Sequence, residues 1–301
     1  MEYKLTIGVI TMNRATQLKE ALESCLACDL PKATQFVIID NASTDNTEQA
    51  VTEVLGSCGY DYHYEKLPEN LGVGGGRNYA FTRSCGEYIY VLDDDAVIDT
   101  QKNADFFLKA IKIMDEDPKI ATLTSQIYDI VWGADRVEKC GPEIAPGIHL
   151  CTMFCGGSHF LRKAFFRDVP YLPNKYGYEE IPPSLRVMDA GMVNVFCPEL
   201  LVIHKPAVNK WNFAEEKNQA LLINGIASPY AIMKMMYPLI CRPLLWAATQ
   251  IRFHRSLRGI PNARKRFNAE IKEICSQYKI SDKIKLSTVW WMFKAFKLSA
   301  F

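Results

Sequence analysis

No stretch of this chain is a clean run of twenty apolar residues, although 49% of its 301 residues are hydrophobic. The most apolar segment, 226–251, is broken by Lys234, Arg242, Pro229, Pro238 and Pro243. A membrane-crossing helix is therefore not expected. The apolar content is instead ample for one large domain, or for one domain with an extension. The opening MEYKLTIGVITMNR lacks an apolar h-region and a small-residue cleavage site, so no signal peptide is expected. The ten cysteines then read as reduced thiols in a cytoplasmic protein. Cys25 and Cys28 form a C-x-x-C, and Cys151 and Cys155 a C-x3-C. No second C-x-x-C or matching His pair accompanies them, which favours buried small hydrophobes over zinc ligands. Internal repeats and low-complexity segments are also missing.

The net charge of +1 lacks a dominant sign and hides an asymmetry. From Arg252 to Phe301 there are twelve Lys/Arg against three Asp/Glu. The tail is strongly basic and the remainder acidic. Such a tail suits an anionic surface, with phospholipid favoured over nucleic acid.

What is present is a regular alternation. Segments 3–10, 35–39, 60–67 and 87–92 read as strands. Segments 15–26, 44–55 and 72–84 read as helices, with Thr44 or Asp45 near the N-cap of the second. This alternation argues for an α/β layer with a mostly parallel sheet. A helix is expected from Asp99 to about Glu116, a strand over 120–125, and a loop-rich stretch to Pro146. Further on come a helix over 162–168, a helix within 176–190, and two short strands, 193–196 and 200–203. From about Trp211 the pattern turns almost wholly helical. The expected division is 1–210 for the α/β domain and 211–301 for a helical, basic, amphipathic extension lying on a surface.

The most informative local feature is the run Tyr88-Ile-Tyr-Val-Leu92 leading into Asp93, Asp94 and Asp95. Three carboxylates at a strand end repel one another and call for a cation, unless the run is a solvated acidic turn. A hard divalent cation with oxygen ligands answers the need. In a parallel layer, ligands sit beyond the carboxyl ends of the strands. Thr11–Arg14, Asp40 and Asp93–Asp95 all fall there. The segment Asn70-Leu-Gly-Val-Gly-Gly-Gly-Arg-Asn78 looks at first like a dinucleotide fingerprint. It fails, because Arg77 stands where the last glycine should be and the segment follows the third strand. Its glycines and helix start still suit an anion, with Arg77 as a bidentate phosphate contact, or they make a tight strand-to-helix turn.

Taken together these motifs resemble the family 2 glycosyltransferases of the nucleotide-diphospho-sugar transferase superfamily, whose fold is called GT-A. The resemblance covers roughly Lys4 to His204. Val9-Ile-Thr-Met-Asn-Arg14 is similar to that family's first strand and nucleotide-contacting loop, which implies donor contacts at Thr11, Asn13 and Arg14. Ile38-Ile-Asp-Asn-Ala-Ser-Thr-Asp45 is similar to its second, with Asp40 at the base or ribose. Asn70–Asn78 resembles its glycine-rich segment, implying roles for Asn70, Gly74 and Arg77. Val91–Asp95 resembles its D-x-D motif, with Asp93 and Asp95 on the metal and Asp93 and Asp94 on the donor. His204 stands where the family can complete the metal shell.

The resemblance further implies an inverting transfer assisted by Mn2+ or Mg2+, with a nucleotide-diphospho-sugar donor and UDP as the default. Glu179 and Glu180 occupy the place of the E-D motif, and Glu180 is favoured as the base. Here Glu replaces Asp at the second position, and Pro182-Pro183 follow where a regular helix start is not expected before Pro183. Cys155–Ser158 resembles the acceptor-side glycine loop, with Gly156, Gly157, His159, Arg162 and Lys163 as acceptor candidates. Trp132, Trp211, Tyr176 and Tyr178 are candidates for stacking on sugars, or core residues. The acceptor is expected to be a glycan or lipid-linked glycan, as in surface polysaccharide assembly. Peripheral contact with the inner face of a membrane, or a homo-oligomer, would use the helical tail. Rivals are a sugar nucleotidyltransferase, which wants a Gly-rich basic loop after the first strand, and a non-catalytic sugar-nucleotide-binding protein. An NAD-dependent dehydrogenase is disfavoured by the broken glycine pattern.

Overall fold

The computed structural model describes residues 3–136, 140–175, 177–206 and 216–300. The chain divides into two compact units, Met1–Val187 with Gly191–Asn209, and Met188–Ala190 with Lys210–Phe301.

The first unit is α/β. It starts β1 (Tyr3–Thr11), α1 (Ala15–Leu26), β2 (Thr34–Asp40), α2 (Thr47–Leu55), β3 (Asp61–Lys66), α3 (Gly72–Arg83) and β4 (Gly86–Asp93). β5 (Ala96–Ile98), α4 (Phe106–Glu116), β6 (Ile120–Asp129), β7 (Ala134–Asp135), β8 (Cys140–Ala145) and β9 (Ile148–Cys151) follow. β10 (Ser158–Arg162), α5 (Ile181–Asp189) and β11 (Val193–His204) complete it. Among the described residues all eleven strands join one sheet, ordered β3-β2-β1-β4-β10-β6-β11-β9-β8, with β5 on β11 and β7 on β6. β3, β2, β1 and β4 run parallel. β10 is antiparallel to both β4 and β6. β1 and β4 are almost unbroken apolar runs because helices cover both faces of a parallel layer. α1 buries Leu18, Ala21, Leu22 and Cys25 at helical spacing. Behind β4, the buried Tyr90 ring packs on Phe160 at 4.5 Å and on Phe107 at 5.2 Å. Its hydroxyl shares a 2.8 Å hydrogen bond with Ser158, so the large ring is buried without an orphaned polar tip.

Several elements differ from the sequence reading. α2 starts at Thr47 because Asp45 turns the chain first, accepting from the Thr47 amide and hydroxyl and from the Ala15 amide. α4 starts at Phe106, after a turn in which the Asn103 amide donates to the Asp99 carbonyl. The expected helix at 162–168 is instead the end of β10 and one 3-10 turn, Lys163–Phe165. Here Phe160 and Leu161 bridge β4 and β6 inside the sheet. The loop-rich stretch contains β7, β8 and β9. The two short strands expected around 193–203 are one strand, β11, with a register shift between Cys197 and Leu201 at Pro198-Glu199. α5 starts at Ile181, before both prolines. The first helical amides have no intrahelical acceptor to lose, so prolines fit there.

The second unit holds α6 (Glu216–Met236), α7 (Arg242–Ser256), α8 (Ala263–Gln277) and α9 (Leu286–Phe296). Phe267 of α8 is its buried anchor, edge-on to Phe253 at 5.1 Å. The buried Tyr237 donates its hydroxyl to the Ala300 carbonyl at 2.7 Å, and the Ile284 amide donates to the Met236 carbonyl. Among the described residues no helix is long and apolar enough to cross a membrane. None of the ten cysteines is in a disulfide, and burial pushes the Cys28 thiol up to about 12. A buried protonated thiol is a small hydrophobe and a poor metal ligand.

Candidate functional site

The strand order makes the site. The chain builds β1, β2 and β3 outward in one direction, then returns to lay β4 on the other side of β1. The crevice beyond the carboxyl ends of β1 and β4 is the switch point where such sheets bind ligands. Thr11 and Arg14 reach it from β1, Asp40 from β2, and Asp93, Asp94 and Asp95 from β4.

These groups are knitted together. The Thr11 hydroxyl donates to Asp94 Oδ2 at 2.8 Å. Arg14 Nη1 bridges Asp94 Oδ1 and Asp95 Oδ2 at 2.8 Å each. Burial pushes the Asp94 carboxyl up to about 6, against the pull of Arg14. Asn13 sits at φ 55°, in the left-handed region that Asn tolerates, and its Oδ1 accepts the Thr44 amide. Asp40 is buried, taking the Ser43 amide on one oxygen and the Tyr64 hydroxyl on the other, both at 2.7 Å. Asn70 Oδ1 accepts the Gly72 amide at 2.7 Å, and its amide nitrogen faces the Met12 sulfur.

A histidine–carboxylate pair lies alongside. His204, at the end of β11, has Nε2 3.3 Å from Asp95 Oδ1 and Nδ1 2.8 Å from Asp129 Oδ2. Burial opposes the Asp95 charge, but the hydrogen bond from His204 together with the charges of His204 and Arg14 outweighs it and holds the carboxyl below its ordinary range. Asp129, from the end of β6, fixes the imidazole so that Nε2 faces Asp95, as outer partners of metal-binding histidines do. Asp129 and its neighbour Arg136 (Nη2 3.2 Å from Asp129 Oδ2) were not foreseen. Only their strand-end position hinted at them.

One carboxylate and one imidazole fit Mn2+ or Mg2+, which are commonly held by few protein ligands with substrate phosphates and water completing the shell. No cluster of three or more His, Cys, Asp or Glu arranged to hold an ion occurs among the described residues. Asp93 does not join the pair. Its Oδ1 takes Arg77 Nη2 at 2.6 Å, so its charge is already compensated.

The second cluster surrounds Arg77. This guanidinium is 3% exposed and faces inward, because α3 begins with glycines. Gly72 is at φ +75°, against Lys175. A Cβ at Gly74 would lie 1.9 Å from the Leu172 carbonyl oxygen. The Val73 and Gly74 amides donate to the Lys175 and Asn174 carbonyls. The amides expected to cradle an anion are thus spent on the 172–175 loop. Arg77, expected on phosphate, instead serves three carboxylates. It bonds Glu179 closely through Nη1, reaches Glu180 Oε1 at 3.4 Å, and holds Asp93 through Nη2. Isolation from water makes such pairing obligatory.

The two glutamates are not equivalent. Glu179 has the close contact with Arg77. Glu180 has the longer one, and burial with the neighbouring Glu179 charge pushes its carboxyl up to about 8 despite Arg77. Gly156 lies directly against it. A Cβ there would come within 1.8 Å of Glu180 Oε1 and 2.6 Å of Arg77 Nη1. Gly157 borders Asp93 Oδ2 in the same way, at 3.1 Å. The Cys155–Ser158 loop is therefore brought to two carboxylates of the Arg77 cluster, Glu180 and Asp93.

Other acceptor candidates lie elsewhere. His159 is fully buried, Nε2 2.6 Å from the Tyr171 hydroxyl and Nδ1 2.8 Å from the Cys155 carbonyl. Burial and the Arg77 charge lower it to about 3, so it is a neutral core histidine. Arg162 points to the opposite end of β10. It is engaged by the carbonyls of Ile120, Met114 and Asp117 and by the Tyr88 hydroxyl. Lys163 donates to the Ser84 carbonyl. None of the three is free for an acceptor. Trp132 is 57% exposed, with Arg136 over its ring at 5.6 Å. Tyr178 is at φ 69°. Trp211 and Tyr176 lie outside the described residues.

Comparison with known proteins agrees with this architecture. The family model for glycosyl transferase family 2 matches residues 6–165. The chain belongs to that family, and its fold is of the GT-A type. Among individual relatives, a poly-beta-1,6-N-acetyl-D-glucosamine synthase of Staphylococcus epidermidis is 28% identical over 112 residues, 37% of this chain and 26% of that protein. The chain thus matches about a quarter of the length of this curated relative. Two solved structures share the fold at low identity. S. aureus TarS 1-349 in complex with UDP-GlcNAc has a TM-score of 0.67 at 16% identity, covering 99% of this chain and 89% of that one. The mannosyltransferase PcManGT from Pyrobaculum calidifontis, in complex with GDP-Man and Mn2+, has a TM-score of 0.60 at 16% identity. It covers 100% of this chain and 86% of that one.

Proposed function

We propose that this chain is an inverting glycosyltransferase, moving a sugar from a nucleoside-diphosphate sugar to a hydroxyl of a glycan or lipid-linked glycan in surface polysaccharide synthesis. The observation that carries the proposal is the buried Glu180 carboxyl, set against Gly156 with its Oε1 3.4 Å from Arg77 Nη1 and raised toward neutrality by burial and the Glu179 charge. A base with its pKa near the working pH is what hydroxyl activation needs.

In this reading Thr11, Asn13, Arg14, Asp40 and Asn70 border the nucleotide. Asp95 and His204 hold Mn2+ or Mg2+, and Asp129 orients His204. When bound, the cation neutralises charge on the departing diphosphate. Glu180 accepts the acceptor hydroxyl's proton as that oxygen bonds to the anomeric carbon. The bond from that carbon to the diphosphate breaks on the opposite face, inverting the centre with no covalent enzyme intermediate. Arg77 positions both glutamates and keeps Glu180 ionisable. Gly156 leaves room for the carboxylate. Surface glycan assembly as the context draws on the polysaccharide synthase likeness and the basic tail. UDP is the default nucleotide, and the two neighbouring structures with UDP-GlcNAc and GDP-Man make GDP the first alternative.

The test is a thermal-shift panel of UDP, GDP, dTDP and CDP sugars with Mn2+ or EDTA, run on wild type and Glu180→Gln. Ligand at a hundred times Kd stabilises by about 2.7 kcal/mol. A metal-dependent shift for one nucleotide is expected in both proteins, with turnover only in wild type. Turnover surviving in Glu180→Gln would remove the base assignment. No shift with any nucleotide would remove the donor site.

A further inference from the structure

The second unit carries apolar side chains that nothing in the described chain covers. α9 divides along its length. Thr288, Val289, Met292 and Phe296 are buried, while Leu286, Trp290 and Trp291 face outward at 54%, 58% and 37% exposure. The 3-10 turn Lys297–Ala300 adds Leu298, at 70%. A second outward group comes from the turn Leu239–Cys241, where Leu239 and Ile240 are 61% and 74% exposed. Leu244 continues it one helical turn into α7. The two groups are neighbours, because Tyr237, just before the second turn, donates its hydroxyl to Ala300, at the end of the first. Single exposed leucines are ordinary, but two such groups, one with two tryptophans, on segments joined through the Tyr237–Ala300 bond mark an interaction surface.

The charges around it identify the occupant. Lys283, Lys285, Lys294 and Lys297 are all exposed and flank α9 or lie on it. Lys294 Nζ sits 5.4 Å from the centre of the Trp290 ring. Residues 252–301 hold twelve Lys/Arg against three Asp/Glu. A protein-protein interface core is depleted of lysine. Tryptophans at the headgroup level, leucines below them and lysines around them are the composition of an element lying in a bilayer interface.

We infer that α9 with the flanking turns at 239–241 and 297–300 is a seat for an anionic phospholipid bilayer. Trp290, Trp291, Leu298 and Ile240 enter the interface, and Lys294 and Lys297 meet anionic headgroups. The inference deepens the lipid-linked acceptor reading above, since a seated enzyme meets such an acceptor in two dimensions. Its test needs no turnover.

The full chain is sedimented with phosphatidylcholine vesicles and with vesicles containing phosphatidylglycerol. Binding to the anionic vesicles is expected to be at least about tenfold tighter and to weaken in high salt. Trp290→Ser/Trp291→Ser should abolish binding, and brominated lipid should quench wild-type tryptophan emission. Lys294→Gln/Lys297→Gln should lose the preference for anionic lipid. Both double variants should keep the nucleotide-induced thermal shift, which separates loss of the seat from loss of the fold or donor site. Vesicle binding unchanged in Trp290→Ser/Trp291→Ser would overturn the inference. So would concentration-dependent self-association through these residues with no vesicle binding, which would make the patch an interface between copies.

Discussion

Glu180 and Glu179 are adjacent in sequence yet chemically distinct, and the difference comes from one guanidinium placed closer to Glu179. Because burial and the Glu179 charge raise Glu180, its ionised fraction grows with pH. If Glu180 is the base, kcat/KM should climb about tenfold per pH unit below its pKa and level off near pH 8. A pH-rate profile on a saturating metal background checks this. A flat profile from pH 6 to 9 would give the role to a carboxylate with an ordinary pKa. In the sequence Asp93–Asp95 stand out as a carboxylate run at the end of an apolar strand, while Glu179 and Glu180 are singled out only through the resemblance to the E-D motif. The partners of Arg77 were not, because a Gly-rich segment before a helix looks the same whether it faces a phosphate or another loop.

At the scale of elements, the glycine face of α3 is what lets a loop settle on a helix start. The Leu172 carbonyl fills the space that a side chain at Gly74 would need. Gly74→Ala should therefore move the 172–175 loop, and the glutamates five residues further on, rather than loosen nucleotide contacts directly. The expected result is a destabilisation of roughly 1–3 kcal/mol with turnover reduced more than donor affinity. Denaturant melts and a donor titration check it, and a fully stable, active variant would refute the packing argument. The strands β1, β2 and β4 were legible because a parallel layer demands nearly continuous apolar runs, and β3, the polar edge strand DYHYEK, was legible from the strand–helix alternation. β10 was not, since Ser158-His-Phe-Leu-Arg162 is too short to distinguish from a helix edge. Nor was β11 as one strand, because Pro198 interrupts its pattern while a bulge absorbs it. The early start of α5 was missed by reading prolines as helix breakers at the one place where they cost no hydrogen bond.

For the whole molecule, two buried groups set opposite pH limits on stability. Glu180 is raised in the fold, so the folded state binds its proton more tightly. Its contribution is complete below the unfolded value near 4.5 and is lost as pH rises toward 8. His159 is lowered to about 3 by burial and by Arg77. Its contribution is complete above about 6.5 and is lost as pH falls toward 3. Between about pH 4.5 and 6.5 these two slopes oppose one another. Asp94, raised to about 6, adds a fall with rising pH up to about that value. The Glu180 slope stands against no His159 slope above about pH 6.5. Above pH 6.5 the melting temperature should drop by roughly 3 °C per pH unit, a slope that Glu180→Gln removes. Melting scans from pH 4 to 9 on both proteins check this, and an unchanged alkaline slope in the variant would refute it.

The strand order also has a consequence for how the chain emerges during synthesis. β1, β2, β3 and β4 pair among themselves within the first hundred residues, so one half of the sheet can assemble early from near neighbours in sequence. β6 must wait. Its partner β11 ends at His204, and until those residues leave the ribosome one side of β6 is an open edge rich in buried-type residues. Such an edge invites pairing with other chains. A nascent chain stalled between residues 130 and 190 thus carries β6 without its β11 partner. Release of β11 closes the edge and, in the same step, delivers His204 to Asp95.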